Sequence, residues 1–256
     1  VDTGIDSGHS ELSGRYHPTK SGSFGASAYS DGHGHGTHVA GIIAANKDGT
    51  GMRGVAYGST IYTNRIFDDN GTIYITADLG FKNLTDPQAN TQNIDFSNNS
   101  WGSSTIEIDE INSSWVDTNY PLWKASLQSA VSNDTVFVWA TGNNYGVDPS
   151  WQSGMPAVVD DIESGWVAVM SLNNDKKETN YTQRCGDAAD WCVAAPGGGD
   201  TSSTQGIYSL KTGGGYTRKS GTSMAAPHVT GMLALIKERF SASLTNQQVR
   251  TRLLNG

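Results

Sequence analysis

The stretch Gly221-Thr222-Ser223-Met224-Ala225-Ala226-Pro227-His228-Val229 places one serine among small residues at the start of an apolar segment. Apolar residues then recur at spacings of three and four, which predicts a helix with one buried face: Val229, Met232, Leu233, Ile236 and Phe240. A helix that begins at or just before Ser223 directs free N–H groups and its dipole at that serine. Pro227 is compatible, because the first turn does not need its N–H. A Gly/Ser loop before a buried core helix explains the same residues, so both interpretations stay open here.

A histidine suited to act as a base lies in Asp31-Gly32-His33-Gly34-His35-Gly36-Thr37-His38, ahead of the apolar run Val39–Ala45. A serine hydroxyl is a weak nucleophile and needs such a base. The glycines on both sides of His35 leave its ring accessible. His33, His35 and His38 together could instead bind a metal. No His-Glu pair at helical spacing and no second Cys/His group supports zinc. A core position explains His38 equally well, and a solvated loop explains His33.

An acidic residue that can orient the base occurs in Val1-Asp2-Thr3-Gly4-Ile5-Asp6. Asp2 follows a β-branched residue and precedes a turn, which is typical of the end of a buried strand. From that place its carboxylate can accept the imidazole N–H and fix the tautomer of the ring. Asp-Thr-Gly also occurs in ordinary turns and in aspartic proteases. Aspartic proteases need two such carboxylates, and the sequence has no second Asp-Thr-Gly or Asp-Ser-Gly.

The three segments, in the order Asp, His, Ser, resemble the motifs of subtilisin-like serine proteases, the subtilase family. The matching stretches are residues 1–5, 35–41 and 221–228. The resemblance implies a serine endopeptidase with a catalytic triad of Asp2, His35 and Ser223 and an acyl-enzyme intermediate. It also implies a three-layer α/β/α fold with a mostly parallel central sheet. A non-peptidase α/β hydrolase is disfavoured, because the sequence has no Gly-x-Ser-x-Gly.

The resemblance assigns further residues to the site. Asn143 follows the apolar run Val136–Trp139, and by similarity it donates its side-chain amide to the oxyanion. A neutral donor at the end of a strand stabilises developing negative charge; a turn asparagine is the alternative, and Asn144 is a neighbouring candidate. Substrate binding is assigned to an edge strand that pairs with the substrate backbone and to a neighbouring glycine: Ser100, Trp101, Gly102 and Gly142. Trp101 is equally explained as a core aromatic residue.

Two cysteines, Cys185 and Cys192, are seven positions apart. A disulfide would close a short loop and contribute about 2–3 kcal/mol; two free thiols are the alternative. Disulfides are typical of exported proteins. This Cys-to-Cys loop before an Ala-Pro-Gly turn is similar to that of subtilases that are passenger domains of bacterial autotransporters. We therefore predict secretion or a cell-surface location.

The segment Ser103–Tyr120 is acidic and aromatic and directly follows the expected substrate strand. If it forms the rim of the cleft, its carboxylates would favour basic substrate side chains. A solvated surface insertion explains the same composition.

Composition limits the function classes. A chain of 256 residues is long enough for one large α/β domain, which we predict to span residues 1–256. The formal net charge of −8 argues against nucleic acid as a partner. The sequence contains no apolar stretch of 18 residues, so we predict no transmembrane segment in it.

A protein or peptide is the expected substrate. The chemistry requires no cofactor, and the resemblance allows a structural calcium ion. We assign no metal ligands, since the turns Asp68–Gly71 and Asp160–Asp161 are better explained as solvated turns. No oligomeric state is predicted.

Strands are predicted at Thr60–Arg65, Ile94–Ser97, Val136–Ala140, Trp166–Ser171 and Val193–Ala195, and helices at Thr37–Ala45, Leu122–Val131 and Ser223–Phe240. Thr245 and Gln248 predict a capping box for a last helix that reaches Leu254.

Subtilase domains have a strand before the catalytic aspartate, so we expect this domain to be truncated at both ends. A non-catalytic fragment or binding module is the alternative function.

Overall fold

The centre of the protein is a parallel sheet of four strands. The computed structural model describes residues 1–75, 77–199, 204–240 and 243–256. The strands lie in the order β3, β4, β5, β6, with the bounds β3 (Phe96–Asn99), β4 (Val136–Ala140), β5 (Trp166–Leu172) and β6 (Cys192–Pro196). All three strand pairs are parallel, so each connection crosses back to the same edge of the sheet.

Two smaller sheets and the helices surround this sheet. Parallel β1 and β2 and antiparallel β7 and β8 form the smaller sheets, with the bounds β1 (Gly22–Ser23), β2 (Asn64–Arg65), β7 (Ile207–Leu210) and β8 (Tyr216–Lys219). The helices in the described residues are α1 (His35–Ala44), α2 (Asp78–Pro87), α3 (Ser113–Asn119), α4 (Pro121–Ser132), α5 (Thr222–Phe240) and α6 (Asn246–Leu254).

The sheet separates two hydrophobic cores, because successive side chains of a strand point to opposite faces. In β4, Phe137 and Trp139 pack in an aromatic core with α2 and α4. Val136 and Val138 pack on the other face with α5 and α6. All five residues of β4 are buried, as expected for a parallel strand covered on both faces. The three-layer α/β/α fold is therefore confirmed.

Most predicted elements are confirmed within one or two residues. The strand Val136–Ala140 has the predicted bounds, and α5 begins one residue before Ser223. Thr245 and Gln248 form the predicted capping box at α6. The strand predicted at Thr60–Arg65 is wrong in length: only Asn64–Arg65 is a strand, paired with Gly22–Ser23. In the described residues no helix is both long and apolar enough to cross a membrane.

Candidate active site

Asp2 and His35 form the best-defined pair in the site. His35 Nδ1 lies 2.7 Å from Asp2 Oδ1. The backbone of Asp2 runs beside β2, since its N–H donates to the Asn64 carbonyl oxygen at 2.9 Å and its carbonyl oxygen accepts from the Ile66 N–H at 2.9 Å. Asp2 is buried, whereas the His35 side chain is 22% exposed. The pair therefore joins a buried carboxylate to an imidazole that a ligand can reach.

The pair shifts the pKa of both groups. Burial of His35 disfavours its protonation, but the charge and hydrogen bond of Asp2 outweigh burial, so the pKa of His35 is raised above its ordinary 6.5. Burial of Asp2 disfavours its ionisation, yet the charge and hydrogen bond of His35 lower the pKa of the carboxyl below its ordinary value. The site therefore holds Asp2 as a carboxylate.

Asp31 holds the start of α1 in place. Its two carboxylate oxygens accept hydrogen bonds from the Gly34 N–H at 2.7 Å, the Thr37 N–H at 2.8 Å and the hydroxyl groups of Thr3 and Thr37. Gly34, at φ 79°, precedes the first helical residue, in a conformation that favours glycine. Asp31 was not predicted as a site residue, although an acidic residue four positions before a helical His is a readable signal.

Ser223 lies at the N-terminus of α5, as predicted. Its Oγ donates to the Ser100 carbonyl oxygen at 3.1 Å, and Ser100 Oγ donates to the Ser223 carbonyl oxygen at 2.9 Å. These two hydrogen bonds connect the segment after β3 to the start of α5. Among the described residues, no hydrogen bond joins Ser223 Oγ to His35. The helices that carry the two residues pack together, because Met224 contacts Val39 and Ile42 of α1.

Asn143 is fixed at the C-terminal side of β4. Its Oδ1 accepts from the Thr222 N–H at 2.9 Å and from the Thr222 hydroxyl at 3.0 Å. Among the described residues its Nδ2 has no acceptor and so remains available to a ligand. Asn144 differs, since its Nδ2 donates to the Ser104 carbonyl oxygen. The geometry therefore favours Asn143 over Asn144 as the free donor.

A cleft of about 240 Å³ contains Ser223 and Asn143, and it is lined by Trp101, Gly102, Ser103, Ser104, Ala140, Gly142, Asn143, Asn144, Thr222 and Ser223. Trp101 is only 9% exposed and stacks on Phe81 in the aromatic core, so it is both a core residue and a wall of the cleft.

Of the acidic segment Ser103–Tyr120, only Ser103 and Ser104 reach the cleft lining. Ile108 is buried and residues 113–119 form α3. A larger groove of about 470 Å³ lies between residues 59–64 and 93–98. Asp2 lines this groove, but Ser223 and Asn143 do not, and His35 is in the lining of neither. The smaller cleft, which holds Ser223 and Asn143, is therefore the candidate active site.

His33, His35 and His38 do not bring their ring nitrogens close enough together to share one metal ion in the described part of the chain. His38 is buried, with Nε2 3.1 Å from the Ile207 carbonyl oxygen. Burial, helped by the charge of Lys219, lowers the pKa of His38 to about 4. His33 is exposed. The group of carboxylates or histidines close enough to share an ion within the described ranges is Glu107, Asp109 and Asp148.

Two other sequence predictions concern residues outside the cleft. Cys185 and Cys192 are joined by a disulfide, with their Cα atoms 5.7 Å apart. Asp68 Oδ1 accepts from the N–H groups of Asn70 and Thr72 within its own turn. Hydrogen bonds that a carboxylate accepts from N–H groups of its own turn are typical of an Asx turn.

Comparison with known proteins gives the family. The subtilase family model matches residues 1–256. Subtilisin DY of Bacillus licheniformis is 30% identical to the chain, and the match covers 99% of the chain and 80% of that protein. The extracellular serine protease of Serratia marcescens is also 30% identical over 94% of the chain, but the chain spans only 27% of that longer protein.

Solved structures agree with this result. A cold adapted subtilisin-like serine proteinase superposes with a TM-score of 0.69 at 29% identity, covering 99% of the chain and 79% of the proteinase. The protease domain of PatA superposes with a TM-score of 0.79, covering all of the chain and 84% of the domain, and at 23% identity it supports the fold alone. Since the family model spans every residue and a subtilisin is matched over most of its length, the chain belongs to the subtilase family.

Proposed function

We propose that the protein is a serine endopeptidase in which Ser223 attacks the peptide carbonyl and forms an acyl-enzyme. The observation that carries this proposal is the 2.7 Å contact between His35 Nδ1 and the buried Asp2 carboxylate. This contact fixes a proton on Nδ1 and leaves Nε2 as the base. The alternative is a non-catalytic fragment or binding module. That alternative does not explain why His35 is paired with the buried Asp2 carboxylate.

The reaction begins when the Ser223 hydroxyl turns from the Ser100 carbonyl oxygen to His35 Nε2. Catalytic hydrogen bonds that are long or misaligned in a free enzyme often tighten only with substrate bound. His35 takes the hydroxyl proton as Ser223 Oγ bonds to the carbonyl carbon, and the carbonyl oxygen becomes an oxyanion. His35 then gives that proton to the leaving amine. Water, activated by His35, releases the acid product and restores Ser223.

Two donors meet the oxyanion in this mechanism. The N–H of Ser223 belongs to the first turn of α5, where N–H groups have no carbonyl partner within the helix. Asn143 Nδ2 is the second donor, since Thr222 occupies its Oδ1. Such donors act most strongly in the transition state, because charge develops there.

Replacing Asn143 with Ala should lower kcat about 10²- to 10³-fold with little change in KM, since the lost donor serves the transition state. Steady-state kinetics on a peptide substrate measure this. Asn144→Ala is the matched control, and we expect it to stay near the unaltered rate. Equal losses in both variants, or a loss only in Asn144→Ala, would remove Asn143 from the oxyanion hole.

The rate should depend on pH through His35. The base acts only when it is neutral, so kcat/KM should fall as pH drops through the pKa of His35. Because Asp2 raises that pKa above 6.5, the half-maximal point of the acidic limb should lie above pH 6.5. A kcat/KM profile in constant ionic strength measures the limb. A half-maximal point below 6.5 would mean that burial, and not Asp2, dominates the titration of His35.

We assign substrate binding to Ser100, Trp101, Gly102 and Gly142. An extended peptide that pairs with residues 100–102 would gain main-chain hydrogen bonds, while the cleft reads one side chain. Gly142 lies at φ 124°, and a side chain there would overlap the amide of Gln183. Glycine at 142 therefore keeps the cleft wall thin.

The acidic segment gives a further expectation about specificity. Glu107 lies behind the cleft wall, where its Oε1 accepts from Gln183 Nε2 at 3.0 Å. Its charge should favour Lys or Arg before the scissile bond, and Glu107→Ala should weaken that preference. A peptide-library profile measures it. Identical profiles for the unaltered chain, Glu107→Ala and Asp109→Ala would show that the acidic segment does not affect substrate preference. The segment would then be a surface insertion.

Export fits this function. The name of the Serratia relative describes an extracellular protease, and the Cys185–Cys192 disulfide is typical of oxidising compartments. We infer a secreted or cell-surface protein that acts on proteins or peptides. Attachment to an autotransporter stays a prediction. The mechanism uses no cofactor.

The direct test of this function is hydrolysis of a fluorogenic peptide and of unfolded casein by the purified chain. We expect both substrates to be cut at internal bonds. A folded chain that binds peptides without cutting them would support the non-catalytic alternative.

A further inference from the structure

The hairpin of β7 and β8 is held beside His35 at both of its ends. At its open end, the Ile207 carbonyl oxygen lies 3.1 Å from His38 Nε2. At its turn, the Thr212 hydroxyl donates to the Asp31 carbonyl oxygen at 2.6 Å. His38 belongs to the helix that begins with His35, and Asp31 belongs to the loop before that helix. The hairpin therefore has a defined place next to the histidine of the candidate active site.

The register of the hairpin places Lys219 on the face that packs against α1. Lys219 lies directly opposite Ile207 in the antiparallel pair, and residues that are opposite each other in such a pair have their side chains on the same face. Ile207 packs against α1 and against Met224, the residue that follows Ser223. Lys219 therefore lies on the side of the hairpin where the segments that carry His35 and Ser223 meet.

The neighbouring residue pair occupies the outer face of the hairpin. The Arg218 guanidinium lies 5.3 Å from the centre of the Tyr208 ring, and both side chains are exposed. Successive side chains of a strand alternate between its two faces, so Lys219, which is only partly exposed, extends toward α1. Within the described ranges Lys219 takes part in no ion pair. Its charge is therefore available to a ligand.

The positive charge of Lys219 acts on the histidines of α1. Burial lowers the pKa of His35, the charge and hydrogen bond of Asp2 raise it, and the charge of Lys219 lowers it again. Burial and then the charge of Lys219 also lower the pKa of His38. This electrostatic effect agrees with the placement that the register gives. The titratable groups that face His35 are Asp2, Asp31, His33, His38 and Lys219.

We propose that Lys219 binds an acidic side chain of the substrate at the residue that follows the scissile bond. The proposal rests on the peptidase function proposed above. In that reaction His35 gives its proton to the leaving amine, so the residue that carries this amine lies against His35. A cation beside His35 is therefore on the leaving-group side, whereas Asn143 meets the oxyanion in the cleft. Aspartate or glutamate after the scissile bond would pair with Lys219, and a basic residue there would be repelled.

Two fluorogenic peptides test this specificity in the active protein. They are cut at one bond, confirmed by mass spectrometry of the products, and differ only in the residue after it, Asp in one and Lys in the other. At low ionic strength kcat/KM should be about three- to tenfold higher for the Asp peptide, as expected for a partly exposed charge pair. Molar sodium chloride should reduce this ratio, because salt screens such pairs.

Variants of the hairpin identify the lysine responsible. Lys219→Met keeps a long side chain without the charge and should bring the ratio of the two kcat/KM values close to one. Lys219→Glu should invert the ratio. Lys211→Met is the matched control, since Lys211 is an exposed lysine beside the turn of the same hairpin, and it should keep the ratio of the parent. The Tm of each variant reports whether it is folded.

Measurements on Ser223→Ala protein separate this proposal from the peptidase function, because they need no turnover. Fluorescence anisotropy should show tighter binding of the Asp peptide than of the Lys peptide, and Lys219→Met should remove the difference. NMR should show a higher pKa of His35 in Lys219→Met, since a positive charge beside the imidazole disfavours its protonation. A merely structural role of Lys219 would not shift that pKa while the Tm stays constant.

The outcomes are distinct. If the parent cuts neither peptide while Ser223→Ala protein binds the Asp peptide more tightly, the peptidase function fails and the binding role of Lys219 stands. The proposal is overturned if the parent cuts both peptides equally well, or if Ser223→Ala protein binds them equally. It is also overturned if the preference survives in Lys219→Met or is lost to the same extent in Lys211→Met.

Discussion

Replacing Ser223 with Ala should lower kcat for peptide hydrolysis by about 10⁶-fold. That magnitude was measured in subtilisin, a relative in the same family, when its nucleophile was removed. The reason is that no acyl-enzyme can form without the Ser223 oxygen, while the oxyanion donors remain. Discontinuous assays over days, with the variant purified on unused resin, measure so low a rate. The fold should survive, because the lost hydrogen bond to Ser100 is a single one of 3.1 Å.

Ser220→Ala is the control for this experiment, since Ser220 is an exposed serine in the same stretch. It should hydrolyse peptides at nearly the unaltered rate. Circular dichroism and the Tm report whether each variant is folded. A folded Ser223→Ala protein that keeps a tenth of the activity would show that another group is the nucleophile.

Asp2→Asn should lower kcat by about 10⁴-fold, as comparable replacements do in triad proteases. Asparagine keeps the shape of aspartate but presents an amide N–H to His35 Nδ1. The imidazole then carries its proton on Nε2, where it cannot accept the proton of Ser223. The charge that raises the pKa of His35 is lost as well, so the acidic limb of the pH profile should move to lower pH.

Asp6→Asn is the matched control, because Asp6 lies in the same segment and accepts hydrogen bonds from the N–H groups of Gly8 and Gly213 without contacting His35. It should change kcat by only a few-fold, within the usual range of a surface change. Equal losses for Asp2→Asn and Asp6→Asn would mean that the segment matters only for folding. A loss of less than tenfold in Asp2→Asn would remove Asp2 from the triad.

The central strands β4 and β5 were predictable because their continuous apolar runs indicate burial on both faces of a sheet. The run Val136–Ala140 has no polar residue, which is the pattern of a parallel strand covered on both faces. The helices α2 and α3 were missed for the opposite reason. α2 contains Gly80 and Pro87 and few apolar residues, so its packing on α4, and not its own propensity, determines it. The hairpin of β7 and β8 has a Gly-rich turn but no strong apolar alternation.

The site was predictable from local motifs only in part. The segments around Asp2, His35 and Ser223 each carry a short sequence signal. The contacts that organise them join residues far apart in the chain, such as Asp31 with Thr3 and Ser100 with Ser223. The approach of Gln183 to Glu107 is equally non-local. Such pairs depend on how the strand ends meet in space, which spacing along one sequence does not encode.

The most direct test of an activated Ser223 is reaction of the folded chain with a fluorophosphonate probe, followed by mass spectrometry of the labelled peptide. We expect one adduct, on Ser223, and its loss in both Ser223→Ala and His35→Ala. The second variant matters because the probe reports activation by the base and not merely exposure of a hydroxyl. A folded chain that stays unlabelled, or that carries the adduct on another serine, would contradict the assignment of Ser223 and His35 as nucleophile and base.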